Sequence, residues 1–554
     1  MKRNIWLLLV LGGFLSTQAK DTVSTAFRSP FDFQMLLSAN FGELRPNHFH
    51  NGIDIKTQGA VGKPIHCIAD GYVSRILVLH GGYGQALFVT HPNGLTSVYG
   101  HVVSFAPSVQ KYLRNYQYAH ETYVCDLRPK PGELPFKQGD VIALSGNEGS
   151  SAGPHLHLEL RRTDTGEYID PLPYFKRYLK DTRPPVPSLV GFYPLDGEGV
   201  IDGAASKKLV PVAHLARPVS AWGKLYTGIS AYDYMNNTSN IYGVYSVKLY
   251  VDSTLVFSSR TDSISPEENR MVNAFTDYDE LLRTRRLVMR SYILPANRLR
   301  MLHANEHKGA VLINQERDYR FTYLLEDNFG NRRTLSFTVR GRKQPIPAAQ
   351  APAEKMLYWN RANVIHEPGM ELVVPKGCVY DHAPIHTRVE GGNDTGISFT
   401  YHLDVGREPL QDYCTLAIGL RHKVAADSSK YYIVQKAGKW NTPVGGIYDN
   451  GWIKTRVRNL GTFSVAVDTI PPRITPIAPH RWRSLRNIRF ALSDGESGIA
   501  SYKVYVDGRF VLFKKVGNTL SIVDKDRIRK GIPHKMEVRV ADNCGNEARK
   551  MFSF

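Results

Sequence analysis

Three short motifs occur twice in this chain, in the same order both times, and they constrain its rear more than any other feature. Asp181-Thr182-Arg183-Pro184-Pro185 returns as Asp468-Thr469-Ile470-Pro471-Pro472. Tyr245-Ser246-Val247-Lys248-Leu249-Tyr250-Val251-Asp252 returns as Ala500-Ser501-Tyr502-Lys503-Val504-Tyr505-Val506-Asp507. Asp327-Asn328-Phe329-Gly330-Asn331 returns as Asp542-Asn543-Cys544-Gly545-Asn546. Each copy opens on a proline-rich stop, runs through alternating strand-type positions, and nears its end with an Asn/Gly turn before a last strand. That is the pattern of a β-sandwich, expected over residues 181–343 and 468–554. The first copy is longer and is expected to carry insertions.

Both copies resemble bacterial Ig-like domains, which often follow exported enzymes. Between them Gln344 to Lys355 is rich in Pro and Ala and reads as a linker, residues 344–355. Residues 356–467 are strand-like with Gly/Asn turns, a β-rich domain of uncertain type. A chain of 554 residues is too long for one core, so several domains are expected. Residues 20–180 read as a further β-rich domain. In it Ala86 to Thr90 and Thr96 to Tyr99 are strands joined by a hairpin at His91-Pro92-Asn93-Gly94, where Asn-Gly supplies positive φ. Residues 108–123 lack turn residues and suggest a helix. Strand signals resume at Val141 to Leu144 and at His155 to Leu160. The expected fold class is mainly β.

The N-terminus reads as an export signal over residues 1–19. Lys2 and Arg3 precede an apolar run from Ile5 to Leu15, and Thr17-Gln18-Ala19 offers small residues before a cleavage point. The run is short for a membrane span, although an uncleaved anchor is the alternative. The reading implies secretion across the inner membrane, no transmembrane span in the mature chain, and a periplasmic location. The five cysteines, Cys67, Cys125, Cys378, Cys414 and Cys544, are widely spaced with no CxxC, which excludes a cysteine zinc site and leaves room for one or two bridges.

Three pieces of the first domain carry metal-ligand residue types: His50-Asn51-Gly52-Ile53-Asp54, Tyr99-Gly100-His101, and Gly153-Pro154-His155-Leu156-His157-Leu158-Glu159. On a strand, His155 and His157 point to one face. One ring can bind a metal while the other reaches its water, or both can bind. Two His and one Asp would leave the fourth position of a tetrahedral zinc ion open for water.

Taken together, "FHNGIDI" from Phe49, "YGH" at Tyr99 to His101 and "GDVIALSGNEGSSAGPHLHLEL" from Gly139 resemble the LytM/M23 family of peptidoglycan hydrolases. The resemblance covers roughly residues 40–175 and implies an antiparallel β sheet of the duplicated-hybrid-motif kind with a groove over the metal. It implies one Zn2+ per chain on His50, Asp54 and His157, and catalytic roles for His155 and His101. It also implies hydrolysis of a peptidoglycan peptide by a zinc metalloendopeptidase. HExxH is absent, so histidine takes the usual glutamate's role. Between His101 and Gly139 the chain is longer than the minimal family pattern, and this 102–138 insertion could wall or occlude the groove. His303-Ala304-Asn305-Glu306-His307 matches HxxEH, but it lacks a helix context and is set aside.

The formal charge of +19 suggests an anionic partner, and carboxylates of wall peptides fit. No nucleic-acid motif is present, so no nucleic acid is expected. The rear domains are expected to position the catalytic domain or to recruit envelope protein partners. The alternative function is a catalytically inactive M23-like module that binds or activates cell-wall hydrolases. A general exported protease is a third reading.

Overall fold

The computed structural model describes residues 26–554 apart from 392–395, 439 and 485–486, so the expected signal peptide lies outside the described residues. Strands dominate and pair antiparallel, except where Val219–Tyr232 runs parallel to Arg332–Gly341. No helix among the described residues is long and apolar enough to cross a membrane.

The first domain is built on a sheet whose path runs Leu37–Ala39, Ile53–Lys56, His155–Arg162, Leu95–Gly100, Gln85–Thr90, Gly71–Val78 and Cys125–Leu127. The hairpin forms where Asn-Gly places it. His91 N–H donates to the Leu95 carbonyl at 2.9 Å, and Gly94 takes φ +80°. His155–Arg162 is central, and its alternation decides its two faces. Leu156, Leu158 and Leu160 are fully buried in the core, which sends His155, His157 and Glu159 to the opposite face. The register sets His157 opposite both Asp54 and Gly100. The expected helix forms as Pro107–Ala119, with Pro at its start and Val109, Leu113 and Gln117 buried along one side.

Behind this domain, the first repeat copy is one ten-stranded sheet around its own apolar core. Residues 356–467 form two five-stranded sheets and a short two-stranded one, and the second copy forms two four-stranded sheets closing over Trp482 and Phe490. The repeat has a common structural meaning. In each copy the middle motif is a strand paired with the strand before the Asp-Asn-x-Gly-Asn turn, and that strand pairs with the one after it.

The cores interlock across these units. Phe41 and Phe49 leave the first domain for the core of the first repeat copy, while Met235, Tyr242 and Leu512 pack into the core of the first domain. Ser263–Ile264 of the first repeat copy pairs with Tyr168–Ile169, extending the first sheet across the boundary. All five cysteines are buried and free.

Candidate metal centre

The register brings the expected residues into one row. His50 Nε2, Asp54 Oδ1 and His157 Nδ1 lie 3.0, 3.1 and 2.8 Å apart pairwise. Ligands about 2 Å from one tetrahedral zinc ion sit roughly 3.3 Å apart, so this set has to open by only a few tenths of an ångström to hold one. Two imidazoles and a carboxylate are also the right donor chemistry.

The remaining atoms of these side chains are fixed by partners that sequence reasoning missed. His50 Nδ1–H donates to the Asn40 carbonyl at 2.7 Å. His157 Nε2–H donates to Glu159 Oε1 at 2.9 Å. A carbonyl or carboxylate can only accept, so once the rings are neutral, as metal binding requires, the nitrogens facing each other carry the lone pairs a metal needs. Without a metal, Asp54 and Glu159 outweigh burial and raise His157 to about 9. Glu159 is itself held by Tyr83 Oη at 2.5 Å and by Arg161, whose Nε and Nη2 donate at 2.8 and 2.6 Å. Burial opposes its charge, but Arg161 and His157 outweigh burial and bring the carboxyl down to about 2. Arg45, in the hairpin of Leu44–Arg45 with His48–Phe49, reaches Asp54 Oδ2 at 3.3 Å and leaves Oδ1 to the row. Burial also opposes ionisation of Asp54, yet the His50 and His157 rings hold it well below the usual carboxylate range. Glu159 had a sequence signal, since it lies two residues beyond His157 on the same strand face. Asn40 acts through its backbone and had none.

His155 and His101 stand beside this row. His155 Nδ1–H donates to the Gly153 carbonyl at 2.8 Å, and its Nε2 lies 3.6 Å from Asp54 Oδ1. His101 Nδ1–H donates to the Glu148 carbonyl at 2.8 Å. Both rings thus keep a free Nε2, and their centroids are 4.7 Å apart. His101 holds φ +61°, a conformation costly for a residue with a Cβ. Gly100 before it lets the chain pass close, since a Cβ there would crowd the Tyr83 ring at 3.1 Å and His157 at 3.4 Å. Burial, and then the His157 and His155 rings, bring His101 down to about 4, so its ring is neutral at pH 7.

An open cleft of about 720 Å³ runs over this row, lined by Glu43, Arg45, Asp54, His101, His155 and His157 among others. Among the described residues none of 102–138 lines it. The insertion turns away and carries the last repeat copy. Tyr118 Oη donates to Asp524 at 2.9 Å, and Glu121 accepts from Lys503 Nζ at 2.9 Å and Tyr505 Oη at 2.7 Å. The HxxEH segment forms no centre, because His303 sits on a strand, His307 on a turn, and both are exposed.

Residues 48–119 match peptidase family M23, and residues 354–468 match a Zu5-like domain. The first domain is an M23-family peptidase domain. A DD-carboxypeptidase/endopeptidase, Mpg, of Neisseria meningitidis is 29% identical over 161 residues, which are 29% of this chain and 29% of that protein. An uncharacterized metalloprotease of Haemophilus influenzae is 29% identical over 180 residues, 31% of this chain and 32% of that one. The matches to these curated relatives therefore span about a third of their length or less. The crystal structure of the catalytic domain of the prophage-encoded M23 protein EnpA from Enterococcus faecalis, solved as a point mutant, is 25% identical, covering 26% of this chain and 95% of that domain, with a TM-score of 0.20. The M23 domain brings together His50, Asp54, His101, His155 and His157. The Zu5-like match falls on the segment whose type the sequence left open.

Proposed function

We propose that this protein is an exported zinc metalloendopeptidase that hydrolyses peptide cross-links of peptidoglycan in the periplasm. The observation that carries the reading is the row His50 Nε2, Asp54 Oδ1, His157 Nδ1, with its lone pairs turned inward by Asn40 and Glu159. These three residues would hold the ion. A zinc ion bound there supplies Lewis acidity to water and to the scissile carbonyl. His155 and His101, each tied at Nδ1 to a carbonyl, can accept a proton at Nε2 and return it to the leaving amine. Protonated, either ring can also donate to the oxyanion. The open cleft admits an extended peptide, and Arg45 at its edge suits a chain bearing carboxylates. The name of the Neisseria relative supports a wall substrate.

The test is zinc content together with mass spectrometry of muropeptides after digestion of purified peptidoglycan. One zinc per chain and new uncross-linked peptides, both lost to a chelator, support the proposal. Zinc bound without any cleavage would instead favour the inactive M23-like module.

A further inference from the structure

The repeated motifs do more than mark domain boundaries. In the first copy, Asp181 of the Asp-Thr-x-Pro-Pro motif, Asp327 of the Asp-Asn-x-Gly-Asn motif, and Asp233 after the strand Val219–Tyr232 each offer a carboxylate oxygen, all within 4.8 Å of one another. Asp233 and Asp327 are 2% exposed and Asp181 is 9% exposed. Asp327 is satisfied by its own turn, accepting from Phe329 N–H, Asn331 N–H and Asn331 Nδ2. Asp181 Oδ1 accepts from Arg183 N–H at 2.9 Å. Asp181 Oδ2 and Asp233 Oδ1, however, are buried with no hydrogen-bond partner. Buried carboxylates without donors are costly, and burial followed by the neighbouring carboxylates pushes Asp233 up to about 8.

The second copy is an internal comparison. Its equivalent trio, Asp468, Asp494 and Asp542, is equally close. There Ser497 donates from both N–H and Oγ to Asp468 Oδ2, Ile470 N–H serves Oδ1, and Glu496 and Gly498 N–H serve Asp494. The first copy has no donor in the place of Ser497, so its unpartnered oxygens call for a positive charge from outside the protein.

We propose that Asp181, Asp233 and Asp327 bind a hard divalent cation of the calcium type, at a site separate from the histidine row. All three donors are oxygens and none is imidazole or thiolate, the all-oxygen set that calcium takes. The site lies where the chain leaves the M23 domain. Asp181 begins the connecting segment, and Asn328 beside Asp327 donates to Asp170 of the M23 domain at 2.5 Å. A cation there fastens the connection to the repeat copy behind it, fixing how the peptidase domain is carried.

The test is calorimetric titration of the full-length, zinc-loaded chain with calcium chloride, for the native protein and for Asp233→Asn and Asp494→Asn. The native protein should bind calcium, with Tm raised by a few degrees at saturation. Asp233→Asn should bind one calcium fewer and lose that Tm response. Asp494→Asn should keep the Asp233-dependent calcium. Should Asp233→Asn fail to fold, Asp181→Asn makes the same test. No calcium bound by the native protein at millimolar concentration, or as much calcium bound by the Asp233 and Asp181 variants as by the native protein, would overturn the proposal.

Discussion

Lys514, in the last repeat copy, forms an ion pair with Glu148, the residue whose carbonyl holds His101 Nδ1 at 2.8 Å. Residues far apart in sequence thus meet behind a proposed catalytic histidine. The contact is not isolated, since Leu512 lies fully buried in the core of the M23 domain and Phe510 and Val523 pack against it.

Lys514→Ala should therefore slow cleavage without releasing zinc. It frees the loop that fixes His101 and leaves Glu148 half-buried without its partner. Small misplacements of a catalytic group are costly, and a loss of about 1–2 kcal/mol in transition-state stabilisation, roughly tenfold in rate, is expected. Muropeptide cleavage and zinc content measured together decide it. An unchanged rate would mean that the last copy only rides on the M23 domain.

Glu159→Gln should weaken zinc binding by about 10–100-fold, the usual effect of losing a partner that orients a ligating histidine. The amide keeps the size and an acceptor for His157 Nε2–H but removes the charge. Competition with a chelator of known affinity gives the ratio. Equal affinity in the variant would leave Glu159 as a partner for Arg161 and Tyr83 only.

Much of the candidate metal row was legible because strand alternation is a rigid rule. His155 and His157 had to share a face, and burying Leu156, Leu158 and Leu160 fixed which one. The repeat was equally legible, because Asp-Asn-x-Gly-Asn makes the same turn twice, with Asp327 and Asp542 each accepting from the N–H two and four residues on. The seating of Leu512, Phe41 and Phe49 was not. An apolar position says that it is buried, not against which domain, and contacts across hundreds of residues leave no local pattern. The direction of the insertion was hidden for the same reason, since Tyr118 and Glu121 meet Asp524 and Lys503, hundreds of residues away.

A pH dependence of stability is expected at the boundary between the M23 domain and the first repeat copy. Asp170 is 3% exposed, and burial pushes it up to about 7 although Leu172 N–H and Asn328 Nδ2 donate to it. Its value in the unfolded chain is about 3.9. Between those values the folded state holds a proton that the unfolded state has lost, so this group's contribution to stability falls as pH rises from about 4 to about 7. Asp170→Asn cannot ionise and escapes the loss. Relative to the native protein, its stability should rise across that window by something on the order of 2–4 kcal/mol. Calorimetric unfolding of both proteins at pH 5 and pH 8 tests this, and curves that move in parallel would refute it.

The last prediction separates holding the metal from using it. His50 Nε2, Asp54 Oδ1 and His157 Nδ1 form the tight set, whereas His155 Nε2 stands 3.6 Å from Asp54 Oδ1 and His101 lines the same cleft outside that set. Replacing His50, Asp54 or His157 with Ala removes a proposed ligand, so zinc and activity should go together. Replacing His155 or His101 with Ala leaves the three donors in place. Zinc should stay, while cleavage falls by about 10²–10⁴-fold, the range for losing a positioned acid or base. The measurement is zinc stoichiometry and cleavage rate for each variant, on protein shown by circular dichroism to be folded. If His155→Ala gives up its zinc as readily as His157→Ala, both rings are ligands, and the proton must be carried at Nε2 of His101 instead.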